Sequence, residues 1–247
     1  MSCACTKKIS KIDIFDFGKV PRVNEFLKKK NKINEKYYPL KICVCTKCLL
    51  VQNSHFIDQN KLFTNYKFIS KASGDTQKHF TKLIRELNNK HVLTKKKSLL
   101  EIGSNDGSLL SIAKKYSNDV TGVDIALKQL PKKNREKDIK YIERFFDKSF
   151  VKNVNRKYDV IIALNVIPHI NYFSEALKTI TQLMHSSSVL IIEGVYYPDT
   201  IKKGQFDTVY HEHAHCFSYI AWERSLKQVG LKIKDVKKIN VQGTSLR

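Results

Sequence analysis

The run Leu99-Leu100-Glu101-Ile102-Gly103-Ser104-Asn105-Asp106-Gly107 passes from an apolar segment into a helical pattern through a tight turn containing glycine. Such a turn reads as a nucleotide-binding edge, because glycine lets the backbone approach a ligand closely and the helix after it offers unpaired N–H groups at its start. About 20 residues further on, Gly122-Val123-Asp124 ends the next apolar run. A carboxylate there can accept hydrogen bonds from both hydroxyls of a ribose, or it can cap the next segment. The G-x-G-x-x-G pattern of dinucleotide dehydrogenases is absent.

Two other groups can do chemistry. Five of the six cysteines, Cys3, Cys5, Cys43, Cys45 and Cys48, fall in the first fifth of the chain. Cys45-x2-Cys48 has the spacing that lets two thiolates of one turn bind a tetrahedral Zn2+, and Cys3 and Cys5 supply the second pair, with Cys43 as a competing thiol or a buried neighbour. Four thiolates close the coordination shell, so such a metal holds the fold and performs no chemistry. The other reading is free or otherwise paired thiols. Further along, Tyr210-His211-Glu212-His213-Ala214-His215 gathers three imidazoles that would share one face if the segment were extended, which makes a metal site an alternative reading there too. Cys216 has no argued partner and reads as a small buried thiol.

The elements that must position these groups can be read from periodicity. Asp75 to Asn89 places Phe80, Leu83, Ile84 and Leu87 at helical spacing, a helix leading from the cysteine module into the second half of the chain. Short β-branched runs then alternate with helical patterns: Ser98 to Ile102, Val120 to Asp124, Lys140 to Ile142, Tyr158 to Leu164 and Ser188 to Glu193, with helices over Ser108 to Tyr116 and Ser174 to Met184. A last helix, Tyr219 to Gln228, stops at Gly230, and a strand is expected over Leu231 to Lys238. This rhythm predicts a doubly wound α/β domain with a mostly parallel sheet. The expected domains are a zinc-binding module over 1–70, a linking helix over 71–97 and a Rossmann-like domain over 98–247.

Composition bounds the function. With 42% hydrophobic and 10% aromatic residues the chain can bury a core and is not a disordered tail. The net charge of +22 comes mostly from dispersed lysine, in runs such as Lys95-Lys96-Lys97 that read as solvated loops. That field is compatible with a nucleotide diphosphate and does not by itself call for a nucleic acid, so a small nucleotide-linked substrate and no nucleic-acid partner are expected. No stretch approaches the roughly 20 apolar residues that span a bilayer, so no membrane role is expected and a cytoplasmic location is.

The motifs resemble a known family. E-x-G-x-N-D-G looks like the S-adenosylmethionine (SAM) loop of class I methyltransferases. Gly18-x2-Pro21, Tyr38-Pro39-Leu40, Cys45-x2-Cys48-Leu49-x-Val51-Gln52, Asn165-Val166-x2-His169-Ile170, Tyr210-His211-Glu212-His213 and Ser245-Leu246-Arg247 occur in the order found in SAM-dependent sugar C-methyltransferases with an N-terminal zinc-binding domain. The resemblance implies a class I methyltransferase fold, structural Zn2+, and methylation at C3 of a nucleotide-linked 4-keto-deoxysugar in deoxysugar or surface-polysaccharide biosynthesis. It implies that Glu101, Gly103, Ser104, Asn105, Asp106, Gly107, Asp124 and Asn165 bind the cofactor, and that Tyr66, His169, Tyr210, Glu212 and His213 line the sugar site. Removal of the proton beside the ketone gives an enolate that attacks the sulfonium methyl, and His213, with an unperturbed pKa of about 6.5, is the expected base. A sulfonium is already a strong electrophile, which leaves no task for a catalytic metal at the histidines.

Two departures from the family pattern stand out. Family members continue after the Ser-Leu-Arg motif into a further α/β domain, whereas this sequence stops at Arg247, and Val241-Gln242-Gly243-Thr244 replaces the usual H-G-G. A non-catalytic or partner-dependent SAM-binding subunit, completed by a separate C-terminal-domain partner or by a homo-oligomer, is therefore an alternative expectation. The charge and the zinc module make an RNA methyltransferase a further one.

Overall fold

The structure, a computed structural model, describes residues 11–24, 35–63, 69–129, 133, 135–241 and 243–247. It divides the chain into two compact units, one of 1–62, 167–174 and 193–247 and one of 63–166 and 175–192. The units do not coincide with the boundaries expected from the sequence. The tail beyond Glu193 groups with the cysteine module, and the helix expected to link the two lies within the second unit.

In chain order the strands are β1 (Lys11–Pro21), β2 (Tyr37–Cys45), β3 (Val51–Asn53), β4 (Ser98–Ile102), β5 (Asp119–Val123), β6 (Ile139–Ile142), β7 (Tyr158–Leu164), β8 (Met184–Val195), β9 (His215–Cys216), β10 (Lys238–Ile239) and β11 (Ser245–Leu246). The helices are α1 (Gln59–Phe63), α2 (Gly74–Asn89), α3 (Ser108–Ala113), α4 (Phe150–Val154), α5 (Phe173–Gln182), α6 (Tyr197–Lys202) and α7 (Tyr219–Lys227).

In the second unit the strands run in the order β8-β7-β4-β5-β6. The pairs β4–β5, β4–β7 and β5–β6 are parallel, so the order reverses at β4, and it is beyond the carboxyl end of the strand at such a reversal that open α/β sheets bind ligands. Every residue of β4 is buried, as expected of a strand covered on both faces. Leu83, Ile84 and Leu87 of α2 pack with Leu99, Leu109, Leu110, Val120, Val160 and Ile162 into one core. Ser73 caps α2, its hydroxyl accepting from the Thr76 N–H at 3.3 Å.

In the first unit β1-β2-β3-β9 form an antiparallel sheet. Beneath β9, Phe217 stacks on Trp222 of α7 at 3.7 Å between ring centroids, and Phe173 lies edge-on to Phe217 at 5.2 Å. Strands β10 and β11 pair antiparallel with each other, and β11 pairs with the end of β8 through Ser245↔Val195 and Leu246↔Gly194. The strand expected over Leu231 to Lys238 is corrected: residues 231–237 are not strand, and the ladder is confined to Lys238–Ile239. The alternation is present in the sequence, but backbone pairing starts only where Lys237 exchanges both hydrogen bonds with Arg247, at 2.8 and 2.9 Å. Among the described residues no helix is long and apolar enough to cross a membrane.

Candidate functional site

In the second unit, β4 carries Glu101 to its carboxyl end and the chain then turns sharply. Gly103 has φ 74°, and a Cβ there would lie 2.8 Å from Val166 Cγ2. Gly107 has φ 80°, and a Cβ would lie 2.8 Å from Tyr141 Cε1. Both positions thus exclude side chains twice over, by backbone conformation and by space. Asn105 and Asn165 also adopt left-handed conformations, with φ 48° and 52°.

The acidic and amide side chains of this turn are partly committed to the backbone. Asp124 accepts from the Asn105 N–H at 2.9 Å through Oδ2 and from the Ala126 N–H at 2.7 Å through Oδ1, so it braces the glycine turn and caps the segment after β5. Asp106 accepts from the N–H groups of Ser108 and Lys71 at 3.0 and 2.8 Å, and Asn105 Oδ1 accepts from the Ser70 N–H at 3.0 Å. Asn105 and Asp106 therefore tie the turn to the segment ahead of α2.

Glu101 differs from these. Burial first, then the charges of Asp124 and Asp106, push its carboxyl well above the usual carboxylate range. Its Oε2, together with Ser104 Oγ and Asn165 Oδ1, is buried without a hydrogen-bond partner among the described residues. Buried acceptors left open beside a strained glycine turn call for a ligand that brings donors and positive charge. SAM, with an ammonium group and a sulfonium, fits that requirement.

In the first unit, Tyr210 to Ala214 is a turn and not an extended segment: the His213 N–H donates to the Tyr210 carbonyl at 3.1 Å, and strand begins only at His215. Asn53 of β3 clamps this turn, its Nδ2 donating to the carbonyls of Tyr210 and His213 at 3.1 and 3.2 Å. His213 Nδ1 lies 2.7 Å from the Thr208 carbonyl, which can only accept, so Nδ1 carries the proton and Nε2 the lone pair. The Tyr210 hydroxyl donates to Nε2 at 3.0 Å. Burial, then the neighbouring His169, lower the His213 pKa to about 3 against the Thr208 carbonyl. The His169 and His213 rings lie 5.0 Å apart, and His169 Nδ1 donates to the Glu212 carbonyl at 2.7 Å. Burial pushes the Glu212 carboxyl up, opposed by Asn24 and Arg22.

The turn removes the premise of a histidine metal face. His211 Nε2 is directed at the Pro39 carbonyl at 3.2 Å and His215 Nε2 at the Ile170 carbonyl at 3.0 Å, so the three imidazoles serve three separate backbone groups. Among the described residues no group of three or more His, Cys, Asp or Glu side chains could hold a metal. Cys45 and Cys48 are both buried on one turn, closed by bonds from the Leu49 N–H to the Cys45 carbonyl at 2.8 Å and from the Cys45 N–H to the Leu50 carbonyl at 2.9 Å. That turn brings together the two thiols expected from the sequence to form half of a thiolate set. Cys3, Cys5 and Tyr66 lie outside the described residues. Cys43 is buried, its thiol donating to the Gln52 carbonyl at 3.6 Å, and burial pushes the Cys216 thiol up to about 12.

Sequence reasoning passed over Asn24, Asn53 and Thr208. Their contacts join distant or irregular segments and leave no periodic signal.

A family profile described as "Methyltransferase domain" matches residues 74–236. The chain belongs to the methyltransferase-domain family. Ahead of that methyltransferase domain, a profile described as "Putative zinc binding domain" matches residues 3–63, the order that the sequence motifs lead one to expect. The chain is 26% identical to C-methyltransferase NovU of Streptomyces niveus over 239 residues, 95% of its own length. It spans 57% of the length of that relative. Among solved structures it resembles N-methyltransferase NodS of Bradyrhizobium japonicum in complex with S-adenosyl-L-homocysteine, with TM-score 0.52 and 13% identity over 70% of this chain and 85% of that one. It also resembles the YcgJ protein of Bacillus subtilis, with TM-score 0.51 and 15% identity over 66% and 72% of the two chains. The fold is that of the class I, SAM-dependent methyltransferases.

Proposed function

We propose that this protein is a SAM-dependent C-methyltransferase that adds a methyl group at C3 of a nucleotide-linked 4-keto-deoxysugar, with His213 as general base. The observation that carries the reading is the Tyr210–His213 pair. The Thr208 carbonyl fixes the tautomer, burial keeps the imidazole neutral, and the Nε2 lone pair is held in a hydrogen bond that a substrate can replace. NovU is a C-methyltransferase by description, which supports carbon as the accepting atom. The sugar rests on the motif resemblance.

SAM, when bound, supplies an electrophilic methyl group, held by the turn from Glu101 to Gly107 with Asp124 and Asn165. The chain's own residues then have distinct tasks. His213 Nε2 takes the C3 proton while the Tyr210 hydroxyl leaves Nε2 and donates to the developing enolate oxygen. A nucleotide diphosphate and an enolate both bring negative charge, which raises the proton affinity of a buried imidazole and offsets its low resting value. Glu212 and His169 orient the sugar, and the motif resemblance assigns Tyr66 to the same sugar site. Cys3, Cys5, Cys45 and Cys48 would hold a Zn2+ that keeps the N-terminal segment folded and takes no part in the chemistry. The reaction suits a reducing, cytoplasmic setting in which those thiols persist.

The test is incubation with SAM and a panel of 4-keto-deoxysugar nucleotides, scored by mass, with His213→Ala alongside. The reading predicts a product heavier by one CH2 from the native protein and no turnover from the variant, with SAM affinity within about twofold. SAM binding without transfer to any panel member would favour a partner-dependent subunit, and loss of SAM affinity in parallel with turnover would remove His213 from its role.

A further inference from the structure

Asn24 sits in the turn that leaves β1 with φ 62°, a conformation that asparagine, aspartate and glycine adopt with the least strain. Its Nδ2 lies 3.1 Å from Glu212 Oε1 and 3.2 Å from Oε2, a contact that spans 188 residues of sequence. Glu212 is 4% exposed, so little water reaches its carboxylate. Among the described residues the other groups facing it are few. Arg22 lies near enough to act on its charge while its own guanidinium donates to the Lys61 carbonyl, His169 bonds the Glu212 carbonyl, and His211 and His213 flank it in the turn.

A glutamate side chain has three rotatable bonds, and the backbone clamp from Asn53 does not restrain them. One amide group donating to both carboxylate oxygens does, because it fixes the plane of the carboxylate as well as its position. Resting on the function proposed above, we propose that Asn24 is a positioning residue for the methyl transfer: its amide holds the Glu212 carboxylate in the orientation that the sugar meets. The segment matched by the zinc-binding profile thus contributes to the site through an amide, although its cysteines do no chemistry. Asn24 also opposes the burial that drives Glu212 towards its neutral form, since an N–H donor favours the anion.

Asn24→Gly is the informative variant, because glycine keeps the left-handed backbone and deletes only the amide. We expect kcat to fall about tenfold with SAM affinity and melting temperature unchanged, the size of effect expected from one lost charge-assisted bond. Asn24→Asp should fall further at neutral pH, where two carboxylates face each other, and recover partly on acidification as they share a proton. Wild-type kcat in Asn24→Gly, or a loss that tracks a lower melting temperature, would overturn the proposal. A second readout does not need turnover: infrared titration of the Glu212 carboxyl, assigned by difference from Glu212→Gln. Its midpoint should rise in Asn24→Gly, and an unmoved midpoint would overturn the proposal. Should native protein methylate no sugar nucleotide, the functional reading fails by itself and the titration still decides whether Asn24 governs Glu212.

Discussion

An imidazole held near pKa 3 stays neutral at every pH at which a cell works, so His213 offers its lone pair without competition from solvent protons. That distinguishes it from an ordinary histidine, and it shifts the pH dependence of the site onto the carboxyls. Glu101, pushed up by burial and by two neighbouring carboxylates, ionises more readily once a cation lies beside it. SAM affinity should therefore increase as pH rises through the Glu101 midpoint, and Glu101→Gln should bind about tenfold more weakly with that pH dependence flattened. Calorimetric titration across a pH series would show it, and a pH-independent affinity in the native protein would contradict the role given to Glu101. At this scale the sequence was legible where chemistry is written as a motif: the glycine turn, the Tyr-His-Glu-His run and the cysteine pair. The tautomer of His213 was not, because it depends on the carbonyl of Thr208 in an irregular segment. Nor was the structural use of Asp124, whose two backbone bonds brace the glycine turn and cap the segment after β5.

Strands buried on both faces gave the clearest signal among the elements. Ser98 to Ile102 and Tyr158 to Leu164 coincide with β4 and β7 because short, mostly apolar runs bounded by polar loops have few other ways to be buried. Leu231 to Lys238 failed for the opposite reason: alternation is necessary for an edge strand, but a ladder also needs a neighbouring backbone, which periodicity does not encode. Packing at the turn after β4 makes a firm prediction. Gly103→Ala adds a methyl group within 2.8 Å of Val166 in a left-handed conformation and should cost about 1–3 kcal/mol of stability, together with SAM binding. A thermal melt near the native value would contradict that packing. At the other end of β4, Asp159 accepts from the N–H and hydroxyl of Ser98 at 2.9 and 2.8 Å and faces His185 at 3.2 Å. Burial works to raise its pKa, but these donors outweigh burial and hold it below the ordinary value of 3.8. Its contribution is complete above pH 4 and is lost as pH falls below that. Asp159→Ala should lower stability by about 1–3 kcal/mol at pH 7, and by progressively less under acid, measured by urea unfolding.

For the whole molecule, the two units are not two halves of the sequence. The first unit is assembled from three separate stretches, so the turn from Tyr210 to Ala214 and the Cys45–Cys48 turn share one compact unit even though some 160 residues separate them, a long-range closure that local patterning does not reveal. With zinc bound as proposed, chelation should lower the melting temperature of this unit and abolish turnover while SAM affinity, assigned above to the turn after β4, is retained. Equal loss of both would contradict the division. Acid stability bears on the same unit: the His213 pKa is depressed, so its contribution is complete above about pH 6.5 and declines as pH falls towards pH 3. The most direct measurement tracks the transferred carbon. With 13C-methyl-labelled SAM and a 4-keto-deoxysugar nucleotide, the label should appear in the product spectrum on the ring carbon beside the carbonyl. Label on oxygen, on nitrogen or on RNA, or no transfer to the sugar at all, would contradict the account.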